Sequence, residues 1–159
     1  MKIRIVTRRS PLAMLQTNEV IERIQLSNPE CICEIIEMES EGDLTDVPLH
    51  TIGGKGLFVS KLETALANGM ADIAVHSLKD VPALIDSQFS IVATLPREDY
   101  GDALLLSEGL TINDLSKNLK IATSGPRRKS QLLAINPKLN IVPIRGNIQT
   151  RINKIEAEN

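Results

Sequence analysis

The sequence predicts an α/β protein organised as two lobes, and three observations point there. Short β-branched and aliphatic runs alternate with helix-period segments along the chain, the pattern of parallel βαβ units rather than of a bundle or a sandwich. Proline and Asn-Gly punctuation falls at the joins, as at Ser10-Pro11 and Asn68-Gly69. Near the middle a polar stretch, PREDYG (96–101), interrupts the alternation, and the lobe boundary is placed there, with a first domain over residues 1–98 and a second over 99–159.

Each element has its own warrant. Residues 2–6 (KIRIV) alternate polar and apolar and read as a strand. Ser10 followed by Pro11 opens a helix whose inward face is Ala13, Thr17, Val20, Ile21 and Ile24, and Asn28-Pro29 stops it. Residues 31–38 read as a second strand. A polar stretch then leads through Gly53-Gly54-Lys55-Gly56 into a helix carrying Phe58, Leu62, Ala65 and Leu66 on one face. Strands are expected at 72–75, 90–95, 103–106, 120–122 and 140–144. A short helix is expected near 112–115, and longer ones from Pro126 and from Asn147.

Composition removes several function classes. Eighteen Lys+Arg against twenty Asp+Glu give a net charge of −2, without the basic excess of a nucleic-acid binder. Aromatic content of 2% leaves no stacking platform for single strands. No apolar run has the length of a signal peptide core or a transmembrane helix, so no membrane partner is expected and the location is expected to be cytoplasmic. Cys31 and Cys33, with His50 and His76 far apart in sequence, support neither a disulfide framework nor a metal site.

Arg8, Arg127, Arg128, Arg145 and Arg151 all fall at or just after strand-to-helix junctions, whereas Arg23 and Arg97 do not. Guanidinium forks bind carboxylates bidentately and stay charged, so the set implies a polyanionic ligand in a cleft between the lobes. The stretches IVTRRSP at 5–11 and IATSGPRR at 121–128 echo one another as strand, hydroxyl and arginine loop, proline and helix start, the ingredients of an anion site. Gly53-Gly54-Lys55-Gly56 is not a Walker loop, since Leu49 and Gly56 stand where that motif needs Gly and Ser/Thr; a mobile flap is its alternative use. His76-Ser77-Leu78-Lys79-Asp80-Val81-Pro82 follows a buried strand, where α/β sites gather. Asp80 is there either a reacting carboxylate or the cap of a short helix beginning near Pro82, and His76 is read as a packing residue.

Taken together, TRRSPLAMLQ (7–16), EGD (41–43), GGKGLFVSKLE (53–63), ADIAVHSLKDVP (71–82), PRED (96–99), TSGPRR (123–128) and RGNIQTR (145–151) resemble the porphobilinogen deaminase (hydroxymethylbilane synthase) family, in family order and spacing. The resemblance implies a two-lobed, periplasmic-binding-protein-like architecture and a cytosolic transferase of haem biosynthesis. Such enzymes condense porphobilinogen units into a linear tetrapyrrole with release of ammonia, on a covalent dipyrromethane primer. By the same resemblance Asp80 is the catalytic carboxylate, which would stabilise the azafulvene cation left when ammonia departs. Lys79, Ser77, Thr123, Ser124, Arg127, Arg128 and Gly146 match cofactor-binding positions. Arg8, Ser10, Gln16, Arg145, Asn147 and Arg151 match the substrate pocket, and Lys55 and Phe58 match the flexible loop and the helix after it.

The family pattern also implies what differs. Gly125-Pro126 stands where a second serine and an aliphatic residue are usual, which removes one hydroxyl and stiffens the helix start, and Gln149 replaces a glycine. Family members run past Asn159 through the rest of the second domain and a third, which carries the cofactor-anchoring cysteine; neither Cys31 nor Cys33 matches it. The expectation is therefore a nearly complete first lobe, a truncated second lobe and little turnover by these 159 residues alone. Full-length members are expected to be monomeric, whereas this chain is expected to expose apolar sheet edge and face and so to self-associate or to take up an added partner segment. The rival reading is a non-catalytic lobe that binds small polycarboxylates.

Overall fold

A computed structural model describes residues 1–39, 59–115 and 119–157. The chain divides into two compact units, Met1–Pro96 and Arg97–Asn159. Both are α/β with parallel strands.

In the first unit β1 (Lys2–Arg8) is the middle strand of the order β2-β1-β3, with β2 at Ile32–Met38 and β3 at Ile73–Ala74. The register pairs Ile5 with Ile35 on one side and Ile73 on the other. Between β1 and β2 runs α1 (Pro11–Ser27), with Ser10 as N-cap and Asn28 as C-cap. Its less exposed side carries Ala13, Thr17, Val20, Ile21 and Ile24, and Thr17 is fully buried. Before β3 comes α2 (Ser60–Ala67), which ends at Asn68 and the left-handed Gly69, where φ is +66°.

The alternation in residues 2–6 predicts a half-buried strand, but Ile5, Val6 and Thr7 are all 0% exposed. The reason is that β1 has a helix on each face. Val6 packs with Leu62 and Ala65 of α2 and with Ala71, with Ile36, Met38, Leu66 and Ala74 around them. On the other face the Thr7 and Thr17 hydroxyls lie 2.8 Å apart, and Thr17 also reaches the Ala13 carbonyl at 2.8 Å. A chain of hydroxyls thus satisfies two buried polar groups and fixes α1 on the sheet.

Asp72 ties the entry of β3 to β1. Its carboxylate accepts from the Arg4 backbone N–H at 2.7 Å, from Nη2 at 2.7 Å and from Nε at 3.1 Å, while Arg4 Nη1 donates to the Gly69 carbonyl at 2.6 Å. The Arg4 side-chain and backbone hydrogen bonds hold the Asp72 carboxyl down at about 2. A carboxyl lowered in the folded state contributes stability above its unfolded value, lost as pH falls through the folded one. Asp72→Asn is therefore expected to lower the urea midpoint at neutral pH and to flatten its decline between about pH 4 and pH 2. An unchanged acid profile would mean that the pair leaves the fold indifferent.

The second unit contains β4 (Lys120–Ala122), α3 (Pro126–Ile135), β5 (Asn140–Val142) and α4 (Ile148–Ala157). The two strands pair in parallel, Ile121 opposite Ile141. Pro126 occupies the first turn of α3 behind Gly125, whose lack of a side chain leaves that helix without a side-chain cap.

Three expectations are corrected. Residues 90–95 and 103–106 are not strands. Their composition is right, but a strand exists only where a neighbour completes its ladder, and no described strand lies alongside either; Ile91, Val92 and Leu105 stay 52%, 80% and 60% exposed. The short helix near 112–115 is a single 3₁₀ turn, Ile112–Asp114, closed by reciprocal bonds between Thr111 and Asp114. No helix begins near Pro82: Val81 is extended, and the turn there is Leu78–Asp80. Among the described residues no helix is long and apolar enough to cross a membrane.

Candidate functional site

In the first unit the candidate residues gather past the carboxyl ends of β1 and β3, where parallel sheets present their loops. β1 ends at Arg8, and β3 leads through Val75 and His76 into the Leu78–Asp80 turn. Val75 N–H donates to the Val6 carbonyl at 3.0 Å, which carries the ladder to the edge of the site. There Arg8 Nη1 meets Asp80 Oδ2 at 3.4 Å, with the two side chains only 19% and 21% exposed. Ser77 Oγ donates to Gln16 Oε1 at 2.8 Å, joining the β3 exit to α1 across 61 residues of sequence. Ser10 caps α1 by accepting from the Ala13 N–H at 3.4 Å.

Asp80 is thus not a helix cap. Its carboxylate faces an arginine from the neighbouring strand, which removes the capping alternative. Lys79, one residue earlier, is exposed. His76 is half-buried beside this pair; burial pushes its imidazole below the ordinary range, Asp80 opposing and Arg8 reinforcing that shift. An imidazole next to Arg8 and Asp80, its charged form disfavoured by burial, is a neighbour of the site that sequence reasoning assigned to packing, and only the turn after β3 reveals it.

In the second unit the loops after β4 and β5 do the same work. Thr123 N–H continues the ladder to the Val142 carbonyl at 2.9 Å, and Thr123 Oγ1 accepts from Gly125 N–H at 3.2 Å. Ser124 Oγ binds both backbone groups of Ile144, donating to its carbonyl at 2.6 Å and accepting from its N–H at 3.0 Å. That hydroxyl therefore latches one loop to the other. Asn147 Oδ1 accepts from Thr150 N–H and Oγ1, both at 2.9 Å, and so opens α4. Gly146 has φ of +115°, and a Cβ there would lie 2.6 Å from Thr150 Cγ2, so both backbone and space demand glycine. Arg151 Nε donates to the Gly146 carbonyl at 2.7 Å.

The charges of this unit are uneven. Arg127 and Arg128, in the first turn of α3, both bind Asp102. Their hydrogen bonds, Arg127's first, hold the Asp102 carboxyl well below the ordinary carboxylate range. Arg151 is lowered from its ordinary value by burial and then by repulsion from Arg128 and Arg145. A partly buried guanidinium whose charge is disfavoured by two arginine neighbours is a natural seat for an anion. This excess fits a ligand bearing several carboxylates, such as a dipyrromethane. Asp102 was not foreseen: it lies 25 residues before Arg127 in a stretch that reads only as a polar boundary.

Lys55 and Phe58 lie outside the described residues, as does the 41–43 motif. A shallow hollow of about 420 Å³ lined by Met38, Ser60, Lys61, Thr64, Ala65 and Met70 contains none of the candidate residues. Arg23 and Arg97 play local parts, the first with Glu19 one helical turn away and the second 4.9 Å above the Tyr100 ring. Cys31 and Cys33 are free thiols, and burial, with a hydrogen bond from the Cys33 thiol to Cys31, raises Cys33.

Comparison with known proteins agrees with these motifs. The family model described as porphobilinogen deaminase, dipyromethane cofactor binding domain, matches residues 3–159. The porphobilinogen deaminase of Natranaerobius thermophilus is 47% identical over 157 residues, 98% of this chain and 50% of that protein. That of Rickettsia bellii is 48% identical over 154 residues (96% and 51%), and that of Clostridium botulinum 47% over 156 (98% and 53%). The chain spans about half the length of the curated relatives it matches. With the family model covering nearly every residue, this chain belongs to the porphobilinogen deaminase family and carries its dipyromethane cofactor binding domain.

Proposed function

We propose that this chain supplies the reacting carboxylate and the carboxylate-binding arginines of a porphobilinogen deaminase, the transferase that condenses porphobilinogen into hydroxymethylbilane with release of ammonia. The observation that carries the reading is the meeting of Asp80 with Arg8 at 3.4 Å, both side chains about one-fifth exposed, beyond the ends of parallel strands β1 and β3. We read the two units as two lobes of a periplasmic-binding-protein-like architecture, for which the β2-β1-β3 order is the support.

When bound, a dipyrromethane supplies the free pyrrole position on which the product grows. The residues of this chain do the rest. Asp80 offers a fixed negative charge, partly shielded from water, to the cation that porphobilinogen becomes on losing ammonia, and accepts hydrogen bonds from pyrrole N–H groups. Arg8 holds that carboxylate in place and, with Ser10, Gln16, Arg145, Asn147 and Arg151, takes the carboxylates of the incoming porphobilinogen. Lys79, Ser77, Thr123, Ser124, Arg127, Arg128 and Gly146 hold the cofactor's carboxylates. Gly146 acts through its backbone, and Ser124 through the loop it latches.

The test is to express the gene in its native reading frame and to follow porphobilinogen consumption together with the colour that bound dipyrromethane gives with an acidic aldehyde reagent. Conversion to a linear tetrapyrrole by a protein carrying the chromogen is the expected result. A protein that neither binds the chromogen nor consumes porphobilinogen would reject the assignment.

A further inference from the structure

Arg127 and Arg128 are neighbours on a helix, so their side chains leave the axis about 100° apart. They also carry like charge at the positive end of α3, with Arg145 and Arg151 in the same unit. Left alone, they would splay apart. Instead both converge on one carboxylate. Asp102 Oδ2 accepts from Arg127 Nη1 at 2.6 Å, and Oδ1 accepts from Arg127 Nη2 at 3.0 Å and from Arg128 Nε at 2.7 Å. Arg127 Nη1 also donates to Gln131 Oε1 at 2.9 Å.

The two arginines are held differently. Arg127 is gripped through both terminal nitrogens. Arg128 is gripped through Nε alone, and its two Nη nitrogens make no hydrogen bond among the described residues. Asp102 is the least exposed of the trio, at 31% against 63% and 51%. We propose that Asp102 is a positioning residue, which draws Arg127 and Arg128 together so that Arg128 presents its paired Nη nitrogens to a ligand carboxylate. The inference rests on the reading of these arginines as carboxylate binders given above.

Two roles for Asp102 predict opposite signs. A carboxylate that merely competes for the arginines weakens anion binding, so its removal tightens it. A carboxylate that positions them strengthens binding through geometry, so its removal loosens it. A free dipyrromethane bearing acetate and propionate side chains, the ligand assigned to these arginines, is the probe, titrated calorimetrically into the 159-residue chain. Asp102→Asn is expected to weaken binding about tenfold, with Asp102→Glu recovering part of the loss. In the same samples the Arg128 Nε–H resonance is expected to be protected from exchange in the wild type and to lose that protection in Asp102→Asn, with the far-ultraviolet circular dichroism unchanged.

Equal or tighter binding by Asp102→Asn overturns the proposal and leaves a surface counter-ion. Arg128→Ala separates this from failure of the parent reading. If Arg128→Ala binds the dipyrromethane as the wild type does, the arginines are not the carboxylate site, and the role of Asp102 falls with them.

Discussion

Asp80→Asn is expected to lower porphobilinogen turnover by about two to three orders of magnitude, the size found when a preorganised electrostatic partner of a developing charge is removed. The substitution keeps the shape of the side chain and one acceptor for Arg8, so the fold has little reason to suffer. The Arg8 contact is a single 3.4 Å approach, not a bidentate fork, and no helix depends on Asp80 for a cap. What disappears is the charge. A neutral amide does not stabilise an azafulvene cation, and a substrate-derived cation in a partly shielded site has no bulk water to replace it. The measurement is the steady-state rate of the native-frame product at saturating porphobilinogen, beside its urea midpoint. Turnover within threefold of wild type would end the catalytic reading of Asp80, whatever the stability. Turnover lost together with the fold would instead assign Asp80 to structure.

Much of this site is legible in the sequence because its parts are local. Ser10-Pro11 announces the start of α1 by capping chemistry that does not depend on the rest of the chain, and the run from His76 to Pro82 is legible as a loop past a buried strand, although its turn lies at Leu78–Asp80 and no helix begins at Pro82. Arginines at strand-to-helix junctions are legible for the same reason: their place follows from element boundaries two or three residues away. What escapes is whatever depends on a distant partner. Asp102 and Arg127 are 25 residues apart, and nothing in PREDYGD says which of its three acids meets a guanidinium. Ser77 and Gln16 are each legible as polar groups at the right end of an element, but not as a bonded pair. Residues 90–95 and 103–106 fail in the opposite direction. Their β-branched and aliphatic content is a local signal, whereas a strand is a relation to a neighbour, and no described segment supplies one. The double burial of β1 escapes likewise, since Arg4 on the Val6 face reads as solvent-facing until Asp72 and the Gly69 carbonyl are seen to receive it.

Leu62→Ala is expected to destabilise the first unit by about 2–5 kcal/mol, the range for a leucine truncated to alanine in a packed core. Leu62 is 0% exposed and lies among Val6, Ala65 and Ala71, two of them alanines that cannot swing into the space it leaves. β1 and β3 have no other described helix on that face, so the cavity would open against the strands that carry Arg8 and the Leu78–Asp80 turn. The loss is large beside the roughly 5–15 kcal/mol of a whole domain. Leu84→Ala is the control: Leu84 is 91% exposed, and its truncation is expected to move stability by no more than about 0.5 kcal/mol. Urea midpoints at constant slope give both numbers. A cost for Leu62→Ala under about 1 kcal/mol would mean that α2 does not clamp the sheet. A cost in the expected range, with porphobilinogen turnover falling only where the protein unfolds, would separate the two duties of this unit: Leu62 holds β1 and β3 together, and Asp80 uses the place where they end.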